Sequence, residues 1–160
     1  FAMTGHLVFS TLHANDAAST ITRLVDIGVA PYLVGSSLVL IMAQRLIRKV
    51  CRSCREEYTI SVDELASLNL GSEYGGKRLA RGNGCPDCRG TGYFGRTGIF
   101  EIFPLVPKIR SLIFSNANQE ELFAAATGLG MKTLRESALE KLFGGETTVR
   151  EVLKPTVEEF

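Results

Sequence analysis

Cys51-Arg-Ser-Cys54 and Cys85-Pro-Asp-Cys88 contain all four cysteines of this 160-residue chain. A gap of two residues within each pair lets both thiolates reach the same ion, and two such pairs complete a tetrahedral zinc site. The 30 residues that separate Cys54 from Cys85 exceed the common zinc spacing, so we expect an insertion there with a short helix at residues 62–68. The spacing therefore predicts one structural Zn²⁺ bound by four thiolates.

The glycine-rich sequence around the second cysteine pair also indicates a metal. Residues 71–98 contain nine of the chain's 16 glycines, and such a segment forms loops and turns that cannot hold a hydrophobic core unaided. Metal binding supplies folding free energy that the glycines do not. We therefore expect the ion to stabilise a small zinc subdomain at residues 51–98.

Three other interpretations of the cysteines are weaker. Disulfide bonds would suit an oxidising compartment, but the N-terminus, Phe1-Ala-Met-Thr-Gly-His6, has no secretory signal pattern. A thioredoxin-like redox site would need one reactive pair and not two. The segment from Cys85 to Gly92 also resembles the cysteine-rich repeats of DnaJ-type chaperones, but those domains need several copies, and the first cysteine pair lacks the glycines.

The sequence before the first cysteine predicts a strand followed by two helices. Residues 7–9 are β-prone, and Asn15 or Asp16 then offers a side-chain oxygen that can cap a helix at residues 17–27. Pro31 can start a second helix, which the spacing of apolar residues extends almost to the first cysteine.

The sequence after the second cysteine pair predicts a strand and a helical tail. Residues 99–103 alternate imperfectly between apolar and polar side chains, which indicates a strand, and Pro104 and Pro107 follow it. Three helices are then expected, because a polar cap with Glu three residues later is typical of a helix start. These pairs are Asn118 with Glu121, Thr133 with Glu136, and Thr148 with Glu151.

The composition is that of a globular protein with no strong electrostatic preference for a partner. Hydrophobic residues make up 45% and charged residues 22%, and the formal net charge is +1. This balance gives no overall field that would attract nucleic acid, so we expect no nucleic-acid partner. The longest apolar stretch, residues 31–43, is too short to cross a bilayer. We therefore expect no transmembrane segment and a cytoplasmic location.

The segment Gly71-Ser-Glu-Tyr-Gly-Gly-Lys-Arg78 comes within one residue of the phosphate-loop pattern. Arg78 stands where a Ser or Thr hydroxyl would hold Mg²⁺, and no apolar strand precedes the segment. We therefore interpret it as a surface loop and expect this chain to have no usable phosphate loop.

Three further segments frame the cysteine pairs. The first is Thr4-Gly-His-Leu-Val-Phe-Ser-Thr-Leu-His-Ala-Asn-Asp16. Ala43-Gln-Arg-Leu-Ile-Arg48 stands just before the first pair, and Gly92-Tyr-Phe-Gly-Arg-Thr-Gly-Ile-Phe-Glu101 stands just after the second. Together, and in this order, the segments resemble the histidine box and flanking motifs of the type II secretion and type IV pilus assembly ATPases. The chain is similar to the C-terminal part of such an ATPase.

The resemblance implies an α/β fold in three parts. These are the end of a RecA-like ATPase core at residues 1–50, a tetracysteine zinc subdomain at residues 51–98, and a strand with a helical subdomain at residues 99–160. It also implies a homo-hexameric parent that hydrolyses ATP with Mg²⁺ in the cytoplasm, peripheral to the inner membrane. The partners it implies are an inner-membrane platform and the secretion or pilus assembly proteins, and the sequence does not decide between secretion and pilus assembly.

The resemblance assigns roles to three residues besides the cysteines. His6 and His13 occupy the positions of the family's catalytic histidines, which contact or sense the terminal phosphate of the nucleotide. An imidazole can donate a hydrogen bond to a phosphate oxygen and change its protonation near neutral pH. Arg96 is a candidate for nucleotide or intersubunit contact, because guanidinium binds phosphate through several N–H groups. The alternatives are a structural packing role for a histidine and simple solvent exposure for Arg96.

The sequence leaves two functions to compare. It contains neither a usable phosphate loop nor an apolar strand that ends in the acidic residues needed to position Mg²⁺. We therefore expect that the chain is a fragment of the motor and does not hydrolyse ATP alone. The alternative function is a free-standing zinc-ribbon module that binds protein or nucleic acid without catalysis.

Overall fold

The fold is described by a computed structural model that covers residues 1–14 and 16–156. Its helices are α1 (Ala17–Asp26), α2 (Pro31–Ser37), α3 (Val62–Ser67), α4 (Pro107–Phe114), α5 (Gln119–Gly128), α6 (Leu134–Phe143) and α7 (Val149–Thr156). Its strands are β1 (Leu40–Val50), β2 (Arg55–Thr59), β3 (Arg78–Gly82) and β4 (Tyr93–Pro104). Strand β1 pairs with β4, and β2 pairs with β3. The mixed α/β class predicted from the sequence is confirmed.

The chain divides into two compact units, each with its own hydrophobic core. Among the described residues, unit 1 lies within residues 1–43 and 100–133, and unit 2 lies within residues 44–99 and 134–160. Strands β1 and β4 contribute residues to both units. The predicted helical subdomain, residues 99–160, is therefore shared between the units, and the three-part division stays a prediction about the parent enzyme.

Helices α1, α2, α4 and α5 provide most of the core of unit 1. The buried residues of this core are Ala17, Ala18, Ile21, Val34, Ile41, Phe103, Leu105, Ile109, Ile113, Leu122, Ala126 and Met131. Helix α1 begins where the sequence predicts, because Asp16 Oδ1 accepts the N–H of Ser19 at 2.6 Å. Asn15, the other predicted cap, lies outside the described residues. Buried Glu101 adds a second acceptor for α1, at 2.9 Å from the N–H of Ala17.

The core of unit 2 is formed by β1, β3, β4 and helices α3, α6 and α7. Its buried residues are Ile47, Ile60, Leu65, Leu68, Leu79, Ile99, Ala138, Leu142, Val149 and Val152. Strands β2 and β3 are antiparallel, with Arg55 opposite Gly82 and Thr59 opposite Arg78. Helix α3 confirms the short helix expected between the cysteine pairs, and Ser61 caps it by accepting the N–H of Glu64 at 3.2 Å.

The second predicted helix is wrong beyond Ser37. Residues 31–37 are helical, but Leu40–Val50 is a strand. Along this strand Ile41, Ile47 and Val50 are buried, while several residues between them are exposed. A short apolar run fits both helical and strand periodicity, and the pairing of β1 with β4 decides in favour of the strand.

The predicted strand at residues 7–9 is also wrong, since this segment is irregular. Its side chains are exposed, with Phe9 87% accessible. A strand needs a hydrogen-bonding neighbour, and none of the strands in the described part of the chain pairs with residues 7–9.

The three tail helices are confirmed, and a fourth precedes them. Asn118 and Glu121 form the expected capping box at the start of α5, and α6 and α7 begin one residue after Thr133 and Thr148. Helix α4 is not among the predicted helices; it begins at Pro107, and proline is favourable at the first helical position. The predicted strand at residues 99–103 is the end of the longer β4. Across the described residues, no helix has the length and hydropathy needed to cross a bilayer.

Candidate metal centre and histidine segment

The four cysteine sulfurs form a cluster with the geometry of a tetrahedral metal site. All four lie within 4.8 Å of one another. The Sγ–Sγ distance is 3.8 Å between Cys51 and Cys85, 3.9 Å between Cys54 and Cys88, and 3.7 Å between Cys85 and Cys88. Four Zn–S bonds of about 2.3 Å place the sulfurs of a tetrahedral ion about 3.8 Å apart. The cluster therefore fits one metal ion, and none of the four cysteines is disulfide-bonded.

Tight turns hold the two sulfurs of each pair together. The first pair closes through a 3₁₀ turn, Arg52–Cys54. In the second pair, the N–H of Gly90 donates to the carbonyl of Cys85 at 3.0 Å. The Sγ of Cys88 accepts the N–H groups of Cys85 and Gly92, each at 3.2 Å. Hydrogen bonds of this kind favour the thiolate over the thiol.

The surroundings shift the pKa values of the Cys54 and Cys88 thiols in opposite directions. Burial opposes ionisation of Cys88, but hydrogen bonds from the N–H groups of Cys85 and Gly92, together with those from the thiols of Cys85 and Cys54, lower the pKa of Cys88 to about 6. Burial raises the pKa of Cys54 to about 12. A metal ion must therefore displace a proton from Cys54 at neutral pH, which couples metal binding to proton release.

Gly82 and Gly92 pack backbone to backbone beside the second cysteine pair. A Cβ on either glycine would overlap the carbonyl oxygen of the other. Gly92 also has a φ of +77°, in the left-handed region that favours glycine. Its carbonyl accepts the N–H of Cys51 at 2.9 Å. The glycine pair thus joins the end of β3 to both cysteine pairs.

An ion pair between buried Glu151 and partly exposed Arg48, near the first cysteine pair, was not predicted from the sequence. Glu151 of α7 accepts the backbone N–H of Arg48 at 2.9 Å and its guanidinium at 2.8 Å. The guanidinium also lies 4.0 Å from the centre of the Tyr93 ring. Burial opposes ionisation of Glu151, but hydrogen bonds from Arg48 and Lys154 lower its pKa to about 2. No short motif could reveal this pair, because its members are 103 residues apart.

His6 and His13 lie on one exposed, irregular segment of unit 1. The Nδ1 of His6 is 3.0 Å from the hydroxyl of Thr4, and its ring meets the edge of Phe1 with 6.3 Å between ring centres. His13 lines a shallow polar depression of about 270 Å³. The other residues of this depression are Ala14, Ser19, Thr22, Arg23 and Asp26. Both imidazoles are therefore exposed to solvent and not packed in a core.

Arg96 lies in unit 2, on the part of β4 that follows the second cysteine pair. Its side chain is exposed, and among the described residues no hydrogen bond or ion pair involves it. The roles of Arg96 and of the two histidines at the nucleotide stay predictions.

One sequence family covers both the histidine segment and the cysteine cluster. The family described as "Type II/IV secretion system protein" matches residues 1–154. This chain therefore belongs to the type II/IV secretion system protein family, and the resemblance found in the sequence is confirmed. Because the match extends far beyond the cysteine pairs, it does not favour a free-standing zinc ribbon.

Individual relatives are similar over almost the whole chain. The type IV pilus assembly ATPase PilB of Thermus thermophilus is 44% identical over 158 residues, which are 98% of this chain and 18% of that protein. The type II secretion system protein HxcR of Pseudomonas aeruginosa is 43% identical over 155 residues, which are 97% of this chain and 29% of that protein. Type II secretion system protein E of the same organism is 42% identical over 158 residues, which are 99% of this chain and 31% of that protein. The chain thus spans less than a third of each of these relatives.

Proposed function

We propose that this chain is part of a motor ATPase that powers type IV pilus assembly or type II protein secretion. The observation that carries the proposal is the family match over residues 1–154. The identities of 44% to a pilus assembly ATPase and 43% to a secretion protein add to it. In this proposal the parent is a cytoplasmic homo-hexamer, peripheral to the inner membrane. Its partners are an inner-membrane platform and the pilus or secretion assembly proteins.

The ion at the cysteine cluster is Zn²⁺ in this proposal, with a structural role. Four thiolates in a tetrahedral arrangement are typical of zinc, and a site filled by four protein ligands has no open position for a substrate. Cys51, Cys54, Cys85 and Cys88 would be the ligands. Three of the distances between their sulfur atoms lie between 3.7 and 3.9 Å and support this choice.

The nucleotide-facing residues of the proposed motor are His6, His13 and Arg96. The exposure of all three side chains supports contact with a bound ligand. His13 also lines a depression together with Arg23, so an imidazole and a guanidinium are available to the oxygens of a terminal phosphate. In the parent that phosphate would belong to ATP with Mg²⁺.

ATP hydrolysis by this chain alone is not expected. A phosphate loop connects a strand to a helix, whereas residues 71–78 lead into β3, with Arg78 opposite Thr59. The phosphate loop of the motor would therefore come from another part of the parent. Measurable Mg²⁺-dependent turnover by the purified 160-residue chain would contradict this expectation.

Steady-state ATP hydrolysis by the parent polypeptide tests the proposal. We expect Mg²⁺-dependent turnover in the wild type and a fall of about a hundredfold in His13→Ala, which loses a donor to developing phosphate charge. Ser10→Ala is the control, since Ser10 is an exposed polar residue of the same segment. A parent without turnover would contradict the motor function, whereas full turnover in His13→Ala would contradict only the role of His13.

A further inference from the structure

One edge of β1 is hydrogen-bonded to side chains and a backbone carbonyl of a non-strand segment instead of to a strand. Within the described sheet β1 pairs only with β4. On the other edge, the N–H of Arg48 donates to Glu151 Oε2 at 2.9 Å, and the carbonyl of Arg48 accepts the hydroxyl of Thr147 at 2.8 Å. Val50 is two residues further on and so faces the same edge, and its N–H donates to the carbonyl of Glu146 at 2.8 Å. Residues 146–151 thus take the place of a third strand.

The same segment also contacts Tyr93, the first residue of β4. The hydroxyl of Thr148 is hydrogen-bonded to that of Tyr93 at 2.8 Å. The preceding residue, Gly92, accepts the N–H of Cys51 at 2.9 Å and donates its own N–H to Cys88 Sγ at 3.2 Å. Residues 146–151 are therefore connected, through a short run of backbone, to one cysteine of each pair.

Four of the residues in these connections are buried. Thr147 is 0% and Glu151 4% exposed, and Cys51 and Cys88 are the two buried cysteines. A buried polar group that loses its partner is destabilising, so this segment and the edge of β1 should become ordered together. We propose that residues 146–151, which we call the clasp, hold both cysteine pairs in the metal-binding arrangement. The inference rests on the proposed metal centre and adds Glu151 and Thr147 to it as positioning residues.

Zinc release from the full chain tests the clasp. Zn²⁺-loaded wild type, Glu151→Gln and Thr147→Val are mixed with an excess of a chromophoric chelator, and the transfer of Zn²⁺ is followed over time. Hydrogen bonds that orient ligands typically contribute about 10- to 100-fold to metal affinity, so we expect both variants to release Zn²⁺ about tenfold faster than the wild type. The visible spectrum of the Co²⁺-loaded chains should also change, because it reports the geometry of the four thiolates.

Two controls separate positioning from general stability. Lys77→Gln changes an exposed residue of the same unit that lies outside the clasp and should release Zn²⁺ at the wild-type rate. Leu142→Ala removes core contacts in the same unit and should leave the Co²⁺ spectrum unchanged. Wild-type release rates and spectra in both clasp variants would overturn the inference. If Glu151→Gln does not fold, the result for Thr147→Val alone tests the inference. A wild-type chain that binds no Zn²⁺ would instead overturn the metal centre itself, and the clasp with it.

Discussion

Glu151 is a buried carboxylate whose effect on stability follows from the cations around it. Its Oε1 lies 2.8 Å from the guanidinium of Arg48 and 3.2 Å from the ammonium of Lys154. Burial alone would raise its pKa, but hydrogen bonds from Arg48 and Lys154 lower it to about 2. A carboxyl with a lower pKa in the folded state than in the unfolded state stabilises the fold above its unfolded pKa, and this stabilisation is lost as the pH falls.

Glu151→Gln is expected to lower the free energy of unfolding at neutral pH by about 3 kcal/mol. The difference between wild type and variant should be constant from about pH 8 to about pH 5, and should shrink only below about pH 4.5, where the unfolded carboxylate binds its proton. Urea unfolding at each pH measures this, with Zn²⁺ held at a concentration that saturates both proteins so that metal release does not contribute to the difference. A difference that changes steadily between about pH 8 and about pH 6 would assign the effect to a group with a higher pKa.

Gly82→Ala is expected to destabilise unit 2 strongly. The new methyl group would overlap the carbonyl oxygen of Gly92, and backbone atoms cannot move aside as a flexible side chain can. We expect the free energy of unfolding to fall by about 3 kcal/mol, which is at the upper end of the range for overpacking substitutions. Gly128→Ala in α5 is the control, since a Cβ there meets nothing within 4 Å. Thermal unfolding measures both, and equal melting temperatures would show that the glycine pair relaxes at little cost.

At the scale of helices and strands, the capping box at the start of α5 shows how a short sequence pattern determines where a helix begins. Asn118 Oδ1 accepts the N–H of Glu121 at 2.9 Å, and Glu121 Oε2 accepts the N–H of Asn118 at 3.0 Å. Asn118→Ala should lower stability by about 1 kcal/mol, whereas Asn118→Asp should retain the cap. Chemical unfolding of the wild type and the two variants measures the difference, and wild-type stability in Asn118→Ala would mean that the cap contributes nothing.

Helix caps and cysteine turns depend on near neighbours in sequence and could be predicted, whereas the pairing of distant segments could not. The cap of α5 and the two cysteine turns involve residues three apart, so their spacing reveals them. The choice between helix and strand at residues 40–50 depends on pairing with β4, which lies beyond the cysteine region. The clasp is equally hidden, because 103 residues separate Arg48 from Glu151.

At the scale of the whole molecule, the two units differ in what stabilises them. Unit 1 has a core formed mainly by helices, whereas all four cysteines lie in unit 2. A structural zinc contributes about 10 kcal/mol or more in small zinc domains, which is comparable with the folding free energy of a whole domain, about 5–15 kcal/mol. Unit 2 should therefore depend on the metal, and unit 1 should not.

Metal removal by a chelator is expected to unfold unit 2 and leave unit 1 folded. Hydrogen exchange measured by mass spectrometry should show loss of protection in β2, β3 and α6, and continued protection in α1 and α5. Adding Zn²⁺ should restore the lost protection. Cys85→Ser lacks one thiolate and should remain unprotected in unit 2 at a Zn²⁺ concentration that restores the wild type.

The same experiment at several pH values tests the proton coupling of the metal centre. The pKa of the Cys54 thiol is raised to about 12 without metal, so binding must release its proton, and acidification should increase the Zn²⁺ concentration needed for protection. A midpoint independent of pH would mean that Cys54 does not bind as a thiolate. Loss of protection in both units on chelation would mean that the two cores unfold together, and unchanged protection would mean that unit 2 folds without the ion.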